Sequence, residues 1–99
     1  MQPFAKIQLM TRKELINLLF EEHNETTVKL LSIDPELLRD LYVLNNYDEQ
    51  LRLNKAKKIR AYKQRSRDAV LDRFRIGVNH FYDIQKRVQM ILQIAARKS

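Results

Sequence analysis

Cysteine is absent from this chain, and so is tryptophan. Without cysteine there is no disulfide, no thiolate metal ligand and no thiol nucleophile. Such a chain fits a reducing, intracellular setting, and a cytoplasmic location is the expectation. Glycine occurs once, at Gly77, and proline twice, at Pro3 and Pro35. Sheets need tight turns, and tight turns draw on Gly, Pro, Asn-Gly or Asp-Gly. Neither of those dipeptides occurs. A single glycine also excludes a glycine-rich phosphate loop. No apolar run approaches the roughly 18 residues of a membrane span. MQPFAKIQLM lacks the basic leader and long apolar run of a secretory signal, so neither secretion nor a membrane is expected.

What is present is helix-forming. Leu, Ile, Lys, Arg, Glu and Gln dominate, and 99 residues allow one domain. The expected fold class is all-α: a small helical bundle with short N-terminal helices, one long basic helix and a C-terminal amphipathic helix. Residues 1–10 have no periodic face and read as an arm, leaving 11–99 as a single helical domain.

Thr11-Arg12-Lys13-Glu14 fits a capping box, in which Thr11 and Glu14 satisfy each other's backbone N–H groups. Leu15, Ile16, Leu18 and Leu19 follow at helical spacing and predict a helix over about 12–22. Asn24 caps a second, short helix carrying Val28, Leu30 and Leu31. Asp34-Pro35 signals a third helix, with Asp as cap and Pro in the first position. Its apolar face is Leu37, Leu38, Leu41, Tyr42 and Leu44. Asn46 with Glu49 either starts a new helix or lies inside a continuing one. From Tyr47 to Ile76 no residue breaks a helix, and Gly77 is the one plausible breaker before the last segment. In that segment Phe81, Ile84, Val88, Ile91 and Ala95 recur at alternating spacings of 3 and 4. Asp83 is expected in its first turn and Arg97 and Lys98 in its last, matching the helix dipole.

Charge is divided unevenly. Residues 1–50 hold five Lys/Arg and nine Asp/Glu, a net of −4, and residues 51–99 hold fourteen and three, a net of +11. Eight cations fall between positions 52 and 67: Arg52, Lys55, Lys57, Lys58, Arg60, Lys63, Arg65 and Arg67. No acid lies among them. An ordinary solvated helix alternates Glu with Lys, because opposite charges at i,i+4 help it and like charges oppose it. A polyanion removes that repulsion. These eight residues are therefore the expected nucleic-acid-binding set, making phosphate contacts to DNA or RNA. The alternatives are a plain solvated helix, whose Lys and Arg keep a small protein in solution, and a protein partner with an acidic surface or an anionic membrane surface.

Other chemistry is thin. Helices over 12–22 and 25–32 invite a helix-turn-helix reading, but a recognition helix should offer Arg, Lys, Asn or Gln to base edges, and the second offers Glu25, two Thr and Lys29, so packing helices are the expectation. His23 and His80 have no metal-ligand spacing, so neither a metal nor a cofactor is expected. No nucleophile–base constellation can be argued, and an enzyme is not expected. Phe74 and Phe81 read as core; Tyr62 and Tyr82 stand open between core packing and base stacking. The 3-4 stripe Phe81, Ile84, Val88, Ile91, Ala95 matches the seam of helices packed at a shallow angle. Two uses of it remain open: a homodimer interface, or cover by the Leu-rich N-terminal helices of the same chain. The functional expectation is a small nucleic-acid-binding regulator or accessory factor, with an adaptor or inhibitor that docks on a larger machine as the alternative.

Overall fold

The computed structural model describes residues 10–20 and 25–97. Among them lie five helices and no strand: α1 (Arg12–Phe20), α2 (Glu25–Ile33), α3 (Leu37–Ala56), α4 (Tyr62–Phe74) and α5 (Val78–Arg97). The all-α bundle is thus as the composition implies. The arm assigned to residues 1–10 lies outside the described residues except for Met10, which packs against the core. Glu21, Glu22, His23 and Asn24 also lie outside them, as does the side chain of Ala95.

α1 starts as its sequence dictates. The Thr11 N–H donates to Glu14 Oε1 at 3.3 Å, and the Glu14 N–H donates to Thr11 Oγ1 at 3.1 Å. This is the reciprocal pairing of a capping box. The start expected at Asp34-Pro35 is corrected: Asp34 Oδ1 accepts the Glu36 N–H at 2.9 Å within a turn that also holds Pro35, and α3 begins at Leu37 with Glu36 as its N-cap and no side-chain cap bond. α3 then runs through Asn45 and Asn46 without interruption.

α3 is the hub, touching each of the other four helices, while α5 also lies on α2. The core gathers Leu15, Ile16 and Leu19 of α1, Leu30 of α2, Leu37, Leu41, Val43 and Leu44 of α3, Val70 of α4, and Phe81, Ile84, Val88 and Ile91 of α5. Arg12 ties the start of α1 to the middle of α3, its Nη1 donating to both oxygens of Asp48 at 3.2 Å.

Two further expectations are corrected. The basic stretch does not form one long helix. It is divided between the end of α3, a turn over 57–61 and the start of α4. No Gly or Pro marks the break. Lys58 and Ala61 make it by taking left-handed conformations, each with φ of 55°. The cost is roughly 1–2 kcal/mol per residue. Folding α4 back onto α3 offsets it, because Val70 becomes fully buried and Leu71 and Phe74 pack against the core. Each large apolar side chain taken out of water contributes on the order of 1.5–3 kcal/mol. A straight helix would have carried these three into solvent. The second correction is at α5. It begins at Val78, so Asp83 sits in the second turn and the first turn has no acid.

The break near Gly77 does occur, but the glycine does not make it. Arg75 is the left-handed residue, at φ 53°, and its N–H caps α4 on the Leu71 carbonyl. Gly77 has no positive φ, and a Cβ there would meet nothing within 4 Å.

Candidate nucleic-acid interface

The turn between α3 and α4 concentrates the charge. Lys55 lies in the last turn of α3, Lys57 caps it, and Lys58 takes the left-handed position that closes it. The Lys58 N–H donates to the Lys55 carbonyl and the Ile59 N–H to the Asn54 carbonyl, both at 3.0 Å. Ile59, within the turn, is half-buried. Arg60 follows, then left-handed Ala61, then Lys63 and Arg65 in the opening turns of α4. A part-buried link joins the two helices beside this turn. Asn54 Nδ2 donates to Ser66 Oγ at 3.0 Å, and the Ser66 hydroxyl donates to the Tyr62 carbonyl at 2.6 Å. Ser66 is fully buried.

The eight cations thereby separate into two kinds. Arg52 pairs with Glu49 at 3.2 Å. Arg67 pairs with Asp68 at 3.2 Å and also donates to the Tyr82 hydroxyl at 3.0 Å. Those bonds, the tyrosine's first, raise the guanidinium pKa above its ordinary value. The other six (Lys55, Lys57, Lys58, Arg60, Lys63 and Arg65) are exposed. None of their side chains is bonded to another described residue. They lie in or beside the turn that joins α3 to α4.

Backbone electrostatics add to this. Lys55 and Lys57 sit at the negative end of the α3 dipole, where cations are favoured. The N-terminus of α4 has no acid in its first turn and no side-chain cap, so its first N–H groups remain open to an acceptor.

The seam on α5 is occupied from within. Phe81, Ile84, Val88 and Ile91 are all buried in the core of the single chain. The Leu-rich N-terminal half provides that cover, through α2 and α3. Phe81 stacks edge-on with Tyr47 at 5.1 Å and Tyr82 at 5.7 Å. Tyr62 is half-buried and Phe74 partly so. His80 is exposed on α5. Among the described residues no group of three His, Cys, Asp or Glu could hold a metal ion, and no helix is long and apolar enough to cross a membrane.

Two features escaped the sequence reading. Phe20 and Tyr42 form an edge-to-face pair at 6.4 Å, although they are 61% and 42% exposed. Asp40 is completely buried, and neither of its oxygens has a hydrogen bond. Arg39 and Arg87 stand at 3.6 and 3.7 Å, and both also face Glu36. Burial pushes the Asp40 pKa up, against the lowering pull of Arg87 and Arg39. The signal was in the spacing: Asp40 lies three after Leu37 and four before Leu44, inside the apolar stripe.

Compared with known proteins, the chain matches no family model, no curated protein and no solved structure.

Proposed function

We propose that this chain is a small nucleic-acid-binding regulator or accessory factor that contacts phosphates through the α3–α4 corner. The observation that carries the proposal is the set of six exposed cations that pair with no acid among the described residues. Folding alone gives no reason to gather them, since like charges this close oppose each other.

The test is equilibrium binding to duplex DNA, single-stranded DNA and structured RNA across a range of salt. Four to six engaged cations give a slope of log K against log salt of about −4 to −5. A slope near zero overturns the proposal. Replacing Lys57, Lys58 and Arg60 together by Gln should weaken all sequences about equally, because phosphate contacts carry little base information.

A second reading is an adaptor or inhibitor that sets the corner on the acidic surface of a larger machine. The exposed Phe20–Tyr42 pair favours it, since aromatic side chains are enriched in protein interfaces. A pull-down after nuclease treatment separates the two readings: partner recovery that survives the nuclease supports the adaptor.

A further inference from the structure

We propose that Asp40 works as a proton-controlled latch for α5: with its carboxyl protonated α5 stays docked on α3, and with it ionised α5 opens locally while the rest of the fold stands. This inference goes beyond the nucleic-acid reading and does not depend on it.

Position is the first argument. Asp40 lies between Leu37 and Leu44 in the stripe that α3 buries, and its side chain is fully buried with them. The α5 residue that reaches it is Arg87. Arg87 stands one turn after Ile84 and one turn before Ile91, beside Val88, and those three belong to the core. The carboxyl therefore sits where the apolar faces of α3 and α5 meet. An ionised group there is kept from water by the contact itself, and parting the contact hydrates it.

Incomplete compensation is the second argument. Neither Asp40 oxygen has a hydrogen bond. Its two cations, Arg39 of α3 and Arg87 of α5, stand at 3.6 and 3.7 Å, outside the roughly 2.7–2.9 Å of a charge-assisted bond. Both also serve Glu36, Arg39 at 2.8 Å and Arg87 at 3.5 Å. Asp34 and Glu36, in the turn before α3, add negative charge around Asp40. Burial outweighs the two arginines, so the carboxyl holds its proton more tightly than an ordinary one.

The third argument is how α5 is held. Phe81, Ile84, Val88 and Ile91 supply an apolar grip. Polar ties to the other described helices run from Arg87 to Glu36 and Asp40, and from the Tyr82 hydroxyl to Arg67. α1 and α4 pack on α3 directly, so α3 keeps those neighbours when α5 parts from it. Opening α5 is thus a way to hydrate an ionised Asp40 short of global unfolding.

The experiment follows backbone amide hydrogen exchange of the full chain by NMR from pH 7 to pH 4, each rate corrected for the intrinsic rate at that pH. In the wild type at pH 7 the amides of residues 84–91 are expected to exchange faster than those of 41–44, the mark of a sub-global opening. Asp40→Asn is expected to slow exchange at 84–91 about fivefold at pH 7. The difference should shrink toward pH 4, where the wild-type carboxyl carries its own proton. The latch is overturned if 84–91 exchange no faster than 41–44, if Asp40→Asn leaves them unchanged or faster, or if its effect at pH 4 equals that at pH 7. Should the variant not fold, the wild type decides: protection of 84–91 that rises as pH falls supports the latch, and protection that stays level or falls overturns it.

Discussion

Asn54 and Ser66, twelve residues apart, meet beneath the basic corner through an amide-to-hydroxyl hydrogen bond of 3.0 Å. Ser66 passes the interaction on to the Tyr62 carbonyl, so one small side chain fixes both the end of α3 and the start of α4. The link is part-buried, with Ser66 fully enclosed and Asn54 half-exposed. Ser66→Ala and Asn54→Ala are each expected to cost about 1 kcal/mol in urea denaturation. The double variant should cost less than the sum, with a coupling of about 0.5–1 kcal/mol. Simple additivity would mean that the two side chains do not work together in solution.

Asp40 gives an unusual pH dependence. Its folded pKa is raised by burial, so the native state holds a proton in a range where the unfolded state has lost it. With more protons on the native side, stability falls as pH rises through the folded pKa. The penalty is present at neutral pH and relieved as pH drops toward the ordinary value of 3.8. Arg39 and Arg87 are exposed enough to be solvated without it. Asp40→Asn is therefore expected to stabilise the fold at pH 7 by about 1 kcal/mol, with the difference shrinking toward pH 4. Melting curves of both proteins across that range check it. A variant less stable at pH 7 would show that the arginines hold the carboxylate more strongly than burial penalises it.

The left-handed positions separate folding from binding. Ala61→Gly relieves a strained φ and is expected to raise stability by about 0.5–1 kcal/mol while leaving polyanion affinity unchanged. Lys58→Gly should stabilise similarly but weaken binding and flatten the salt slope by about 1. Gly77→Ala is expected to be neutral or stabilising by up to about 1 kcal/mol, because neither its φ nor its surroundings require glycine. Chemical denaturation of the three, with binding titrations beside it, checks all of these outcomes.

Ile84 lies within the α5 seam and is 2% exposed in the single chain. Ile84→Ala is expected to cost about 2–5 kcal/mol of folding stability. Sedimentation equilibrium of the wild type and the variant at micromolar concentration distinguishes the two uses of the seam. A folded variant that merely loses a dimer would place the seam between copies. Loss of helical signal together with loss of compact mass places it in the core.

The features legible from sequence were those set by local chemistry. Thr11 and Glu14 mark the start of α1 through a pairing that needs no other part of the chain. The 3-4 spacing of Phe81, Ile84, Val88 and Ile91 marks a face that has to be covered, and it is covered. Spacing does not say by what, because a neighbouring helix and a second copy present the same kind of surface. The corner at 57–61 was illegible for a different reason. Lys58 and Ala61 have no local preference for left-handed backbone, and the gain that drives them there is made further along, at Ser66 and Val70 of α4. Tertiary packing overrode propensity. The eight cations were visible as a set, but their division into two paired and six unpaired residues depends on that fold-back.

The placement of the Asn54–Ser66 link also bears on the order in which the chain assembles. Its partners are separated by 12 residues, whereas the Arg12–Asp48 pair that fastens α1 to α3 spans 36. Closing the shorter loop is easier by about 1 kcal/mol of chain entropy, and short-range contacts form faster. The α3–α4 hairpin is thus the natural early unit of folding, with α1 and α5 docking afterwards. The mutual repulsion of the six cations is felt at that first step, where dissolved salt screens it. Refolding of this chain should accordingly quicken with modest ionic strength, opposite in sign to the effect of salt on its affinity for a polyanion.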